Sequence, residues 1–267
     1  MNFVDPERVT DGLCTIALGH PLEQHGVVES TNDIALQLLA DGAAHGTTVV
    51  ANRQTAGRGQ RGRAWHSPQN VGLFVSIVLR GSRRLDSPTL VVAAVGLGLA
   101  EGLELVSGAR IELKWPNDLW CDGRKVAGIL VESRGYRPES PAFVVGMGVN
   151  VNHRGVDFPT ELRDTATSLA LLTGDTLDRA DVLRAMLEAL EPRIDQALAG
   201  GTGDLEAAYR ARSLLRGREV TLLHGDDVVR GTVADLSARE GLLLRLPDGR
   251  MLHVPAEHAR QVRPVDA

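Results

Sequence analysis

The pattern of predicted secondary structure changes near Arg216, and this change restricts the chain to a two-part architecture. Before it, segments with helical spacing of apolar residues alternate with short runs of strand character. After it, about fifty residues contain only short strand-like runs separated by turn residues, and the Pro-Asp-Gly-Arg sequence at 247–250 is typical of a hairpin. We therefore predict an α+β fold, in which residues 1–215 form a mixed β-sheet flanked by helices and residues 216–267 form a small β-barrel of SH3-like size.

Apolar periodicity in the first part predicts the individual elements. The first helix falls within 27–41, where Thr31, Asn32 and Asp33 suit the helix cap and Gly42 suits the stop. The other predicted elements are an apolar helix that starts at Ser87 and Pro88, a long helix at about 178–199 kinked by Pro192, a short helix at 205–213, strands at 47–51, 71–80 and 142–152, and a hairpin over 111–133. We expect the apolar helix to pack on the sheet.

The bulk composition favours a reduced, cytoplasmic protein. The net charge of −5 argues against a polyanion-binding protein, so any basic site must be local. No apolar run approaches the roughly 20 residues of a membrane helix, and the N-terminus lacks the pattern of a secretory signal. Cys14 and Cys121 lie far apart without C-x-x-C spacing, which is typical of incidental thiols.

The distribution of basic residues points to one short segment. Of the 29 basic residues, 27 are arginine and two are lysine. Both lysines, Lys114 and Lys125, lie within the sequence KWPNDLWCDGRKVAGIL. Since lysine offers a compact charge and arginine a planar fork, two lysines in an otherwise arginine-only chain suggest a task that guanidinium cannot perform.

Residues 55–66 read TAGRGQRGRAWH, and we call this segment the Gly/Arg loop. Gly57, Gly59 and Gly62 spell a dinucleotide-binding motif, but that motif requires a following helix and the next residues are strand-like. An aromatic content of 3% and a pI near 5.9 disfavour a nucleic-acid-binding arm. Two interpretations remain: a solvated surface loop, or a flexible cationic loop that orders over an anionic small molecule. We favour the second, with Trp65 covering a flat ring.

Five motifs then occur in a fixed order: ESTND (29–33), RQTAGRGQRGRAW (53–65), LKWPNDL (113–119), GRKVAGILVE (123–132) and GMGVN (146–150). Together they resemble the biotin protein ligases (biotin–[acetyl-CoA-carboxylase] ligases) over roughly residues 20–265. The resemblance implies a class II synthetase-like ligase domain followed by an SH3-like barrel. About 20 residues precede the similar region, too few for the N-terminal helix-turn-helix of some family members. We therefore expect the short type, which binds no nucleic acid and no membrane.

The resemblance also implies a reaction and its substrates. Biotin and ATP with Mg²⁺ would give biotinyl-5′-AMP and pyrophosphate, and a lysine of a biotin carboxyl carrier domain of a carboxylase would then accept biotin and release AMP. A lipoate ligase of the same superfamily is the alternative enzyme. Whether the protein is a monomer or a homodimer stays open at this point.

The family pattern assigns roles to particular residues of this chain. Lys125 is the expected catalytic residue, with Arg58 beside the reacting groups, and Asp118 is the tentative Mg²⁺ ligand. The biotin-binding residues implied are Ser30, Thr31, Asn32, Gln54, Gly57, Arg58, Lys125, Gly128 and Gly146. The adenylate-binding residues implied are Arg58, Arg61, Arg63, Trp65, Asn117, Asp118, Lys125, Gly148, Asn150 and Arg263.

Simpler explanations exist for some of these residues. Ser30 and Asn32 also suit helix capping, and Gly146 and Gly148 also suit close packing of a helix on the sheet. Lys114 is the second catalytic choice, or else a member of a structural ion pair.

One position departs from the family pattern G-R-G-R-x-G-R. Gln60 stands where that pattern has its second arginine. We expect Gln60 to weaken retention of the adenylate, unless Arg61 substitutes for the missing cation.

Overall fold

The computed structural model describes residues 3–82, 84–85, 88–225, 227–255 and 258–265. The predicted cap residue Ser87 lies outside these ranges. The helices are α1 (Pro6–Thr10), α2 (Thr31–Ala40), α3 (Thr89–Ser107), α4 (Leu169–Thr173), α5 (Arg179–Leu198) and α6 (Thr202–Ala211). The strands are β1 (Leu22–Val28), β2 (Thr48–Gln54), β3 (Gly72–Arg80), β4 (Glu112–Lys114), β5 (Asp118–Cys121), β6 (Arg124–Glu132), β7 (Ala142–Asn150), β8 (Glu219–His224), β9 (Asp227–Ser237), β10 (Gly241–Arg245), β11 (Met251–Val254) and β12 (Ala259–Pro264).

The larger sheet has seven strands in the order β1-β2-β3-β7-β6-β5-β4. It is mixed because β1 pairs with β2 in parallel, whereas the remaining pairs are antiparallel. Ala35 and Leu36 of α2 pack on one face, against Val49, Val78 and Val144. Helices α3 and α5 cover the other face, so the predicted mixed sheet flanked by helices is confirmed.

The apolar helix α3 lies in the core, as its sequence predicts. At Gly96 an added Cβ would touch Leu113 of β4 at 3.4 Å and Ile129 of β6 at 3.8 Å. At Gly98 and Gly102 it would come within 2.9 Å of the α5 backbone. The glycines therefore allow α3 to pack closely between the sheet and α5.

Helix α3 also corrects one expectation from the sequence. Helix α3 has 19 residues, and its most apolar window has a mean hydropathy of 1.8. By length and composition alone, these values would suffice for a membrane span. The expectation that no apolar run reaches this length was therefore wrong. In the structure 67% of its most apolar window is buried inside the protein, which is usual for a core helix that is covered on two sides.

The segment 111–133 forms three strands rather than the predicted single hairpin. The chain reverses between β4 and β5 and again between β5 and β6. The first reversal divides the expected first strand because Asn117 donates its side-chain Nδ2 to the Ile129 carbonyl, which fixes the turn. As a result, Lys114 and Asp118 lie directly opposite each other.

The C-terminal residues form a second, antiparallel sheet in the order β11-β10-β9-β8-β12. The predicted hairpin at 247–250 is confirmed, because β10 pairs with β11 across it and Gly249 takes a φ of 86°. The first strand begins at Glu219, close to the boundary predicted near Arg216. The division into two domains itself stays a prediction.

Glu191 of α5 anchors the N-terminal segment, and its replacement tests that anchor. Its carboxylate accepts backbone N–H bonds from Ile16, Ala17 and Leu18 at 2.7–2.9 Å. Burial raises the pKa of Glu191, but these three bonds outweigh burial and leave the pKa below its ordinary value. The carboxylate therefore adds stability above the pKa of the unfolded chain, and this stability is lost as pH falls through the folded pKa.

We expect Glu191→Gln to lower the free energy of unfolding at pH 7 by about 2 kcal/mol, because charged hydrogen bonds are lost. The difference should shrink as pH falls through the lowered pKa of the folded state, where the wild-type carboxyl also becomes protonated. Urea denaturation at pH 7 and at an acidic pH below that pKa measures it. Glu188→Gln is the matched control, since Glu188 accepts one N–H bond, from Cys14. A loss that is equal at both pH values would contradict the electrostatic explanation.

Candidate active site

A cavity of about 770 Å³ lies where the start of α2, the meander β4–β6, the Gly/Arg loop and β12 meet. Its wall includes the residues that the sequence assigned to biotin and adenylate, with the exception of Gly57. Gly57 is buried beside it, where its carbonyl accepts a hydrogen bond from the Trp65 backbone N–H at 2.8 Å. That bond closes the neck of the Gly/Arg loop.

The start of α2 provides an uncharged polar end of the cavity. Gln54 Oε1 accepts hydrogen bonds from the backbone N and the hydroxyl of Thr31, at 2.9 and 3.1 Å. The Ser76 hydroxyl lies 2.7 Å from Thr31 Oγ1 and 2.6 Å from Asn32 Oδ1. Ser30 is the N-cap residue, but its side chain makes no capping hydrogen bond. Helix capping therefore does not explain the Ser30 hydroxyl.

Three glycines on the two central strands of this wall let larger side chains approach the sheet. A Cβ at Gly146 would overlap Asn32, and a Cβ at Gly148 would overlap the indole of Trp65. Gly128 is paired with Gly148 across the strands, and its Cβ would lie 3.0 Å from the same indole. The alternative explanation, close packing of a helix on the sheet, is therefore correct for Gly146, whose neighbour Asn32 belongs to α2. It does not apply to Gly148, whose neighbour Trp65 belongs to the Gly/Arg loop.

Lys125 lines the cavity. Its Nζ is 2.6 Å from Asp118 Oδ1 and 5.1 Å from the centroid of the Trp65 ring. Its backbone is fixed on both sides, because its N–H donates to the Thr165 carbonyl and its carbonyl accepts from the Thr167 N–H. Asn150 strengthens this region by donating its Nδ2 to the Thr167 carbonyl at 3.0 Å.

Lys114 lies in the same wall but in a different environment. Its Nζ is 5.0 Å from the centroid of the Trp120 ring, and no described residue forms an ion pair with it within 4 Å. Burial lowers the pKa of Lys114, the charge of Asp118 partly offsets this, and Lys125, Arg263 and Arg63 lower it further. The structural ion pair considered as an alternative is therefore not formed within the part of the chain that the structure describes.

Further cations line the cavity on the side of Lys114. They come from the Gly/Arg loop and from β12 of the second sheet. These cations are Arg61, Arg63 and Arg263, and Arg61 donates from Nη2 to the Ala259 carbonyl at 2.8 Å. Burial lowers the pKa of Arg61, and the charges of Arg260 and Arg63 add to this effect. The Gly/Arg loop is thus attached to β12, and the cationic end of the cavity is built from two parts of the chain.

As the sequence predicts, a strand rather than a helix follows the Gly/Arg loop. A single 3₁₀ turn at Gln60–Gly62 is followed by the strand β3. A dinucleotide-binding motif would require an α-helix at this place. Arg61 takes a φ of 59° in that turn.

The matches to known proteins agree with this geometry. The model of the Biotin/lipoate A/B protein ligase family matches residues 25–152. A Biotin--[acetyl-CoA-carboxylase] ligase of Mycobacterium tuberculosis is 36% identical over 269 residues, which cover 95% of this chain and 94% of that protein. The chain belongs to the biotin protein ligase family.

The solved structures extend this family relationship to the fold. A biotin protein ligase from Aquifex aeolicus, in complex with biotin and ATP, is 30% identical with a TM-score of 0.78, and the match covers 91% of this chain and 98% of that one. The bifunctional ligase/repressor BirA of Bacillus subtilis is 35% identical over 76% of this chain. The chain spans 62% of the length of that relative.

The biotin protein ligase motifs located most of the cavity, but they missed four residues that shape it. Ser76 is the one polar side chain within the apolar run LFVSIVL, and this exception could have identified it. Asp33 and Glu132 lie inside quoted motifs, yet their contacts with Arg58 and Asn32 join segments far apart in sequence. Phe158 lies in an irregular segment with no motif that would single it out.

Arg58 differs from the other arginines of the loop. Its guanidinium forms two hydrogen bonds with Asp33, at 2.8 and 2.6 Å, and its Nη2 lies 3.7 Å from Glu132 Oε2. These two carboxylates compensate the charge of Arg58 within the protein. The catalytic role of Arg58 stays a prediction.

Proposed function

We propose that this chain activates biotin with ATP to biotinyl-5′-AMP and transfers biotin to a lysine of a biotin carboxyl carrier domain of a carboxylase. One observation carries the proposal: a single cavity joins an uncharged polar end at α2 to a cationic end around Lys114 and Arg263, with Lys125 between them. An acyl adenylate has this distribution of groups, since an uncharged head is joined through a carboxyl group to a phosphate and a nucleoside.

The polar end favours biotin over lipoate as the acid. The ureido group of biotin offers two N–H donors and a carbonyl acceptor, which match the hydroxyl and amide groups of Ser30, Thr31, Asn32 and Gln54. The dithiolane of lipoate has no strong hydrogen-bonding group and would leave these polar atoms unpaired in a closed site, at a cost of about 1–3 kcal/mol for each group.

Activation brings two anions together, because the carboxylate of biotin attacks the α-phosphorus of ATP and pyrophosphate leaves. Lys125 would contact both the carboxylate and the α-phosphate, and a compact ammonium can stabilise the charge that develops between them. Arg61, Arg63, Lys114 and Arg263 would hold the phosphates. Trp65 would cover the adenine and exclude water from the reactive anhydride.

Magnesium is part of the proposal as the ion that accompanies ATP. The described residues contain no group of three His, Cys, Asp or Glu side chains that could hold a metal ion. The ion would therefore be bound mainly by phosphate oxygens and water, as Mg²⁺ often is, with the carboxylate of Asp118 as one ligand. That carboxylate already contacts Lys125.

In the transfer step, the amine of the carrier lysine attacks the carbonyl carbon of the adenylate and AMP leaves. Asp118 lies beside Lys125, where it could orient the incoming ammonium and accept its proton. The C-terminal sheet would form an SH3-like domain from residue 216 onward, and the bond between Arg61 and Ala259 supports a role for this sheet in closing the site.

The direct test is incubation of the protein with biotin, MgATP and a carrier domain, followed by mass measurement of the carrier. We expect one biotinyl group on one lysine, and none when ATP is omitted. Lipoate in place of biotin should give no product, and calorimetry should detect binding of biotin but not of lipoate. Modification of the carrier with lipoate but not with biotin would favour the lipoate ligase instead.

Gln60 provides a separate prediction about retention of the adenylate. Gln60 lines the cavity between Arg58 and Arg61 and carries no charge. We expect Gln60→Arg to slow release of biotinyl-AMP roughly three- to ten-fold, because a new cation would face the phosphate. Release is measured by chasing preformed adenylate, and labelling of unrelated lysines should fall in parallel. Equal release and equal labelling would contradict the expectation that Gln60 weakens retention of the adenylate.

A further inference from the structure

Three segments that are distant in sequence meet at the guanidinium of Arg58. Arg58 belongs to the Gly/Arg loop, Asp33 to the first turn of α2, and Glu132 to the end of β6. Asp33 accepts hydrogen bonds from both terminal nitrogens of Arg58, and Glu132 lies 3.7 Å from one of them. A paired fork of this kind fixes the orientation of a guanidinium as well as its position.

The carboxylate of Glu132 also contacts the polar end of the cavity. Glu132 Oε2 accepts a hydrogen bond of 2.6 Å from Asn32 Nδ2. Asn32 Oδ1 in turn accepts from Ser76, and Asn32 fills the space left by Gly146. Glu132 therefore connects the position of Arg58 with the orientation of the Asn32 amide.

Charge also separates Arg58 from the other arginines of the loop. Its hydrogen bonds with Asp33 raise the pKa of Arg58 and lower the pKa of Asp33. Among the described residues, Arg61, Arg63 and Arg263 form no ion pair with a carboxylate within 4 Å. These three cations are therefore available to an anionic ligand, whereas the charge of Arg58 is compensated within the protein.

We propose that Asp33 and Glu132 are positioning residues, which hold Arg58 and thereby fix the first half of the Gly/Arg loop and the Asn32 amide at the biotin end of the cavity. Neither Asp33 nor Glu132 is among the residues that line the cavity. They act because a loop rich in glycine has many conformations, and the fork restricts it before biotin binds. The identity of the ligand rests on the proposed function.

The test compares Asp33→Asn and Glu132→Gln with a matched control far from the cavity. Arg193 and Glu101 form the same paired fork, at 3.1 and 2.7 Å, between α5 and α3. The side chains are similarly exposed, 31% and 30% against 35% and 42% for Arg58 and Asp33. Glu101→Gln therefore removes an equivalent contact from a place that does not touch the cavity.

We expect each of the two site variants to raise the KM for biotin roughly five- to ten-fold, with kcat and the KM for ATP within about two-fold of wild type. Arg58→Lys, which keeps the charge but loses the fork, should raise the KM for biotin by a similar factor. In the absence of ligands, trypsin should cleave after Arg61 and Arg63 faster in Asp33→Asn than in wild type. Glu101→Gln should change none of these values.

Two controls keep the outcomes distinct. Assays are run at a temperature where all variants are folded, as shown by their thermal denaturation. Pyrophosphate release by the wild type with biotin and MgATP is measured first, and its absence would contradict the proposed function. If release occurs but the KM for biotin in a site variant stays within two-fold of wild type, the positioning role of that residue is wrong. A parallel rise in both KM values would also overturn it.

Discussion

Replacing Lys125 with alanine is expected to lower the rate of adenylate formation by roughly 10²- to 10³-fold, with a loss of about 1 kcal/mol or less in stability. The rate falls because the ammonium is the cation placed between the polar and the cationic ends of the cavity. Stability changes little because the ion pair with Asp118 is partly exposed, with 29% and 21% of the side-chain surfaces accessible. Biotin-dependent pyrophosphate release and urea denaturation measure the two effects.

Arg124 offers a matched control for Lys125. It is the preceding residue of β6, so its side chain points to the opposite side of the strand and does not line the cavity. Arg124→Ala removes a cation from the same strand and should leave the rate within about two-fold. Full activity of Lys125→Ala, or an equal loss in Arg124→Ala, would contradict the assignment of Lys125.

Replacing Gly146 with alanine is expected to weaken biotin binding roughly ten- to hundred-fold and to lower the free energy of unfolding by about 1–3 kcal/mol. The added methyl group would overlap the amide of Asn32. Asn32 cannot move aside easily, because it is 4% exposed and bonded to both Ser76 and Glu132. The helix α2 would have to shift and would carry Thr31 with it.

Calorimetry with biotin and urea denaturation test this prediction. Gly155→Ala is the control, since Gly155 is exposed and an added Cβ would meet no atom within 4 Å. It should change binding and stability by less than about 0.5 kcal/mol. If Gly146→Ala binds biotin as tightly as wild type, the polar end at α2 is not the place where the head of biotin lies.

The accuracy of the sequence-based expectations depended on how local each signal was. The helices and strands follow from periodicity, which local residues determine, and Pro-Asp-Gly-Arg was sufficient to predict the hairpin between β10 and β11. The meander was misjudged because residues 118–121 form a strand of their own after the turn at Pro116 and Asn117, and the hydrogen bond from Asn117 to Ile129 is not local. The apolar length of helix α3 was underestimated because glycines interrupt it, and these glycines pack against the sheet or against α5 rather than break the helix.

The sequence by itself determined the longer helices and several of the strands, the order of the motifs and the residue types that surround the cavity, because periodicity and short motifs are properties of neighbouring residues. Only the tertiary structure decided how those residues share their charges. In the tertiary structure Lys125 pairs with Asp118, and Arg58 pairs with Asp33 and Glu132. Lys114 forms no ion pair among the described residues. The physical reason is that electrostatic and hydrogen-bonding partners are chosen by distance in space, and a separation of 100 residues, as between Asn32 and Glu132, carries no local signal.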